Sequence, residues 1–163
     1  MSHKRFFGLA AMILLFTFPL SASMVSFLVV ETGLPEGAVS LPYTGLWEGG
    51  LMDVFFDAGH IVTNSPAARI EKRPARDLSG LLEDDYRAAV SGGAEYFILA
   101  YLDFSRRGER AVPVTMTLKL YKTDSQKLIF EQNFAAGSGK DNNEEYKIAQ
   151  NAGRTIIQHL KER

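Results

Sequence analysis

The stretch AEYFILAYLDFS (94–105) constrains the fold more than any other part of the chain. Successive residues of an extended chain point to opposite sides. Phe97, Leu99 and Tyr101 therefore share one face, and Ile98, Ala100 and Leu102 the other. Both faces are apolar, and a strand of that kind needs cover above and below. It predicts a central strand flanked by helices, not a sheet with one wet face.

The remaining segments supply its neighbours. VSFLVV (25–30) is β-branched and aromatic and predicts a buried first strand, followed by a Gly- and Pro-containing loop over 31–45. LWEGGLMDVFFDAG sets Leu51, Val54, Phe55 and Ala58 on one helical face, Asp53 and Asp57 opposite, with Gly59 as the stop. HIVTNSP resumes an extended run, and ARIEKRPARD (68–77) reads as a charged connection. A second helix near 79–90 presents Leu82, Tyr86, Ala89 and Val90 and ends at Gly92 and Gly93. In AVPVTMTLKLYK, Val112, Val114, Met116, Leu118 and Leu120 are predicted to face inward, Thr115, Thr117 and Lys119 outward. TDSQ turns the chain into KLIFEQNF, which completes an antiparallel meander. Asn142 or Asn143 can cap a last helix that offers Ala149, Ala152, Ile156 and Leu160 to the core. The order is β-α-β-α-β-β-β-α: a single mixed β-sheet with helices packed on it, in the α/β (α+β) class.

Ahead of the first strand lies a different pattern. Lys4 and Arg5 precede the apolar run Phe6–Phe18, and Pro19-Leu20-Ser21-Ala22-Ser23 follows with a helix breaker and small residues. These are the parts of a secretory signal. The apolar run is short against the ~20 residues of a membrane span. Residues 1–23 are thus expected to be a signal peptide cut between Ser23 and Met24, or after Ala22, leaving a single domain over 24–163. An uncleaved anchor over 6–28 is the alternative, with the same outward orientation. Either way the domain is expected outside the cytoplasmic membrane, in the periplasm, and touching the membrane only through this segment or weakly at its surface.

Composition narrows the chemistry. Lys and Arg number 18 against 19 Asp and Glu, so no strong positive field favours nucleic acid. The absence of cysteine excludes disulfides, thiolate metal sites, thiol nucleophiles and an acylated cysteine. His60, near Asp53 and Asp57, is the one place where a small-ligand or metal pocket could form, but no ligand spacing supports it. His159 falls on a polar flank of the last helix. Glu83, Asp84 and Asp85 diverge around a helix and read as a solvated face. GSGK (137–140) fails the phosphate-loop pattern, with Phe134 where glycine is required and Asp141 where Ser or Thr is required. No G-x-S-x-G elbow occurs. Trp47, Phe55 and Phe56 read as helix-to-sheet packing. No catalytic, cofactor or metal residue is therefore assigned, and no cofactor is expected. Arg106, Arg107 and Arg110 form the densest basic cluster outside the signal, at a hairpin tip. They are either a solubilising tip or an electrostatic contact for an acidic partner or anionic lipid head groups.

LWEGGLMDVFFDAGHIV, GGAEYFILAYLDF and VTMTLKLYKTDSQKLIFEQNF, followed by the terminal helix, resemble small envelope α/β domains. These are the amino-terminal domain of the Tol-Pal system's β-propeller protein, the curli secretion-channel subunit and the lipoprotein activators of peptidoglycan synthases. The Gly-Ala-(Asp/Glu)-Tyr opening of their central strand is Gly93-Ala94-Glu95-Tyr96 here, and the hairpin stretch is Asp124 to Phe130. The resemblance covers about residues 25–162. It implies non-enzymatic docking or scaffolding with an envelope protein partner, and it brings no catalytic residues with it.

Overall fold

The computed structural model describes residues 22–34, 42–107 and 110–161. Nearly all of the expected signal lies outside these residues. The elements are β1 (Met24–Thr32), α1 (Tyr43–Asp57), β2 (Ile61–Asn64), β3 (Ala68–Ile70), α2 (Leu81–Ser91), β4 (Tyr96–Arg107), β5 (Arg110–Lys122), β6 (Lys127–Ala135) and α3 (Asn142–Lys161). They build a six-stranded mixed sheet in the order β2-β1-β4-β5-β6, with β3 pairing β1 beyond the end of β2. β1 is parallel to β2, β3 and β4, while β4, β5 and β6 form the expected antiparallel meander.

From β1 the chain first steps to β2 on one side and later returns through α2 to β4 on the other. Right-handed crossovers in opposite directions put their helices on opposite faces. One core accordingly joins α1 and α3 to Phe27, Ile98, Leu102 and Leu118. The other joins α2 to Leu28, Phe97, Leu99 and Tyr101. Trp47, Leu51 and Phe55 of α1 are fully buried, each side chain contributing about 1.5–3 kcal/mol. Gly59 (φ 87°) and Gly93 (φ 86°) end α1 and α2 in the left-handed region, which lets His60 N–H reach the Phe55 carbonyl and Ala94 N–H that of Ala89.

Four expectations need correction. The charged connection contains a strand, β3, whose three residues are too few to show alternation. Thr117 is buried and the Lys119 side chain only 14% exposed, because the segment after β3 folds over them. Val90 and Phe56 are exposed, 44% and 68%, since neither core reaches their sides of α2 and α1. The first-turn cap of α3 is Asp141, which accepts from Glu144 N–H at 2.8 Å, not Asn142 or Asn143.

Candidate interaction surfaces

In a sheet whose strand order reverses at β1, the crevice beyond the carboxyl ends of β1 and its parallel neighbours is where a ligand would sit. Here that end is filled by ion pairs. Glu31, buried at the end of β1, accepts from Arg69 of β3 at 2.7 and 3.0 Å and from Thr44 of α1. Asp103 of β4 receives the Arg73 guanidinium and the Thr32 hydroxyl. Arg73 also donates to Thr117 at 2.8 Å and lies over the Tyr101 ring, 4.6 Å from its centre. Next along the segment, Asp77 accepts from Lys119 at 2.8 Å, Tyr101 at 3.1 Å and Tyr121 at 2.5 Å. Burial pushes Asp77 up, but these hydrogen bonds outweigh it and hold the carboxyl below its ordinary value. Burial and the neighbouring Asp77 push both tyrosine hydroxyls well up. No buried side-chain polar atom among the described residues lacks a partner. The groups are consumed in pinning the 69–80 segment to the sheet.

The residues named for a pocket are not brought together. The His60 ring takes a hydrogen bond with Ser23 Oγ at 2.7 Å and sits 5.5 Å from the Phe55 ring. Burial lowers its pKa. Asp53 instead accepts from the Tyr146 hydroxyl of α3. Asp57 lies in an open cleft of about 320 Å³ between α1 and α3, opposite Arg154 and Lys161. No cluster of three metal-ligating side chains occurs among the described residues. Glu83 pairs with Arg87 and Asp84 is exposed, as a solvated helix face requires.

GSGK does hold an anion, but an internal one. Gly137 N–H and Gly139 N–H donate to the Glu145 carboxylate at 2.7 and 2.9 Å, and Trp47 Nε1 donates to it at 2.7 Å. Glu145 is fully buried. His159 likewise proves to be engaged: its Nε2 lies 2.9 Å from the Ile129 carbonyl oxygen, and its ring packs against Phe130.

Among the described residues, the backbone edges and the β4–β5 hairpin offer further surfaces. β1 accompanies β4 only as far as Asp103, and β6 accompanies β5 only from Thr115. Among the described residues, Phe104–Arg107 pairs beyond them with Arg110–Pro113, so the hairpin continues past the last strand pairings of both neighbours as a two-stranded arm with Gly33 and Gly137 against its base. A bulge follows Asp103, and Pro113 sits beside it, where a missing N–H is tolerated. Phe104 is still buried, with Gly33 seated against its carbonyl, but Arg106 is exposed. No helix among the described residues is long and apolar enough to cross a membrane.

A similar fold is found among solved structures at low sequence identity. The PelC dodecamer from Paraburkholderia phytofirmans is 14% identical over 85% of this chain and 87% of that one, with a TM-score of 0.50. TolB from Acinetobacter baumannii is 12% identical over 85% of this chain and 28% of its own, at 0.46. The LpoB C-terminal domain from Salmonella enterica is 13% identical over 71% and 82%, at 0.43. The expected resemblance to small envelope α/β domains is therefore met among solved structures. No family model matches the chain, and no curated protein matches it.

Proposed function

We propose that the chain is an exported, periplasmic, non-enzymatic interaction domain that contributes to a bacterial envelope assembly. The observation that carries this reading is the β4–β5 arm. It extends beyond the last pairings of β1 and β6, exposes Arg106, and has Arg107 and Arg110 in facing strand positions. A positively charged arm on a chain of formal net charge −1 is suited to an acidic protein surface. The internal ion pairs support the same view, because the crevice where a ligand would bind is spent on holding the chain together. PelC, with the same fold, is described as a dodecamer, so the fold is compatible with assembly.

The segment ahead of β1 would be the export signal, cut after Ala22 or after Ser23. Ser23 bears on where it is cut: its hydroxyl holds His60, and its carbonyl accepts from Ile61 N–H at 3.1 Å. A cut after Ala22 keeps these contacts, whereas a cut after Ser23 loses them, and we favour the former.

Replacement of Arg106, Arg107 and Arg110 by Glu is expected to lower capture of a protein partner from envelope extract by about tenfold. The melting temperature and the emission of Trp47, the single tryptophan, should stay unchanged. Undiminished capture by a folded variant would remove the arm from the account. Mass spectrometry of the bait in the same experiment reads its mature terminus.

A further inference from the structure

The outer edge of β6 carries a second contact. Ala136 N–H donates to the Val114 carbonyl at 3.2 Å, which fixes the phase of the ladder. Opposed residues of an antiparallel pair alternate between exchanging hydrogen bonds and turning their main-chain groups away. With Thr115 opposite Ala135, Thr117 opposite Asn133 and Lys119 opposite Glu131, the groups of Phe130, Gln132 and Phe134 meet β5. Those of Glu131, Asn133 and Ala135 point outward.

This open window is closed at both ends. The Ile129 carbonyl is taken by His159 from α3, and Gly137 N–H is taken by Glu145. Three outward residues remain, symmetric about Asn133. We infer that β6 pairs antiparallel with β6 of a second copy, about a two-fold axis through Asn133. That register sets Asn133 against its counterpart and Glu131 against Ala135 at each end. It forms roughly six main-chain hydrogen bonds. Centring on Glu131 would oppose two carboxylates and run into the occupied Ile129 carbonyl. Centring on Ala135 would require the N–H that Gly137 gives to Glu145. On the face that carries α1 and α3, the Asn133 register lays Gln132 across from the partly buried Phe134. An isologous contact of this kind is self-complementary by construction. Registers centred on Gln132 or Phe134 would engage only two of the three outward residues of each copy, so the Asn133 register is the one that uses the whole window, with like charges kept apart.

The inference rests on the reading of the chain as an interaction domain and names one partner; it makes no use of the arm. The test is sedimentation of the full chain, in one buffer and detergent, across roughly 1–100 µM. Ala135 is exposed, so charging it leaves the monomer intact. Ala135→Glu sets a carboxylate against Glu131 of the other copy twice over. It should weaken self-association by about tenfold or more, while Ala135→Lys should preserve or tighten it. Circular dichroism verifies that both variants fold. Wild-type monomer throughout the range overturns the inference, as do Glu and Lys variants that behave alike. A monomer that captures an envelope protein through the β6 edge would give this edge to a foreign strand and overturn the second copy as occupant. Capture that is undiminished by the arm substitutions, with self-association intact, would remove the arm from the proposed function and leave this contact standing.

Discussion

Asp77 lies on the segment between β3 and α2 and reaches Tyr101 of β4 and both Lys119 and Tyr121 of β5. Its carboxyl is held below the ordinary value, 3.8, that it has in the unfolded chain. A depressed folded pKa contributes stability that is fully present above the unfolded value and fades as pH falls through the folded one. Asp77→Asn should therefore be least stable relative to wild type at neutral pH, with the gap closing as pH drops below about 4. Urea unfolding followed by Trp47 emission between pH 3 and 7 measures that gap. A constant gap across the range would mean that the carboxylate charge contributes nothing.

At the scale of elements, α1 and α3 meet through small residues. A Cβ added at Gly50 would lie 2.8 Å from Ala149 Cβ and 2.9 Å from the Tyr146 carbonyl oxygen, both on α3. Alanine favours a helix over glycine by about 1 kcal/mol, but forcing apart two packed helices costs about 1–3 kcal/mol. Since one of the clashing atoms is backbone, the packing loss should win. Gly50→Ala is expected to lower stability by about 1–2 kcal/mol. Ala149→Gly in the same chain should recover only the part due to the Cβ clash. Chemical denaturation of the three variants decides it, and a stabilised single variant would refute the close approach. The same elements show what the sequence could convey. The run Phe97–Leu102 announced a doubly covered strand because its signal is local, carried by neighbouring side chains. The outward placement of Thr117 and Lys119 failed because what covers them is a non-periodic segment some forty residues earlier. That segment is held by Arg73 and Asp77, and charge at such positions usually means solvent. Glu145 was hidden for a similar reason: its donors, Trp47 N–H and the 137–139 backbone, converge only after α1 and α3 dock. The edges of the window on β6 were equally invisible, since His159 reaches Ile129 across thirty residues.

Over the whole molecule the two faces of the sheet are unequally secured. α1 and α3 pack on each other as well as on the sheet, burying Trp47, Leu51, Phe55, Ala152 and Ile156 in one cluster. Among the described residues α2 has no helical partner, and it buries Leu82, Tyr86 and Ala89. The segment leading to it is fastened by ion pairs that are one-tenth to one-third exposed, where solvent screens much of their attraction. Local opening draws on regions with the fewest apolar contacts. α2 with residues 71–80 should therefore open as a unit while β1, β4 and the α1–α3 layer stay closed. In native-state hydrogen exchange, amides of Leu82–Val90 should exchange at least ~10-fold faster than those of Ala149–Ile157. Raising salt should widen the difference, because it weakens the pins and leaves the apolar layer untouched. Equal protection of α2 and α3 at every salt concentration would show that the sheet and both of its coverings unfold together, and that the ion-paired segment is no weaker than the apolar core.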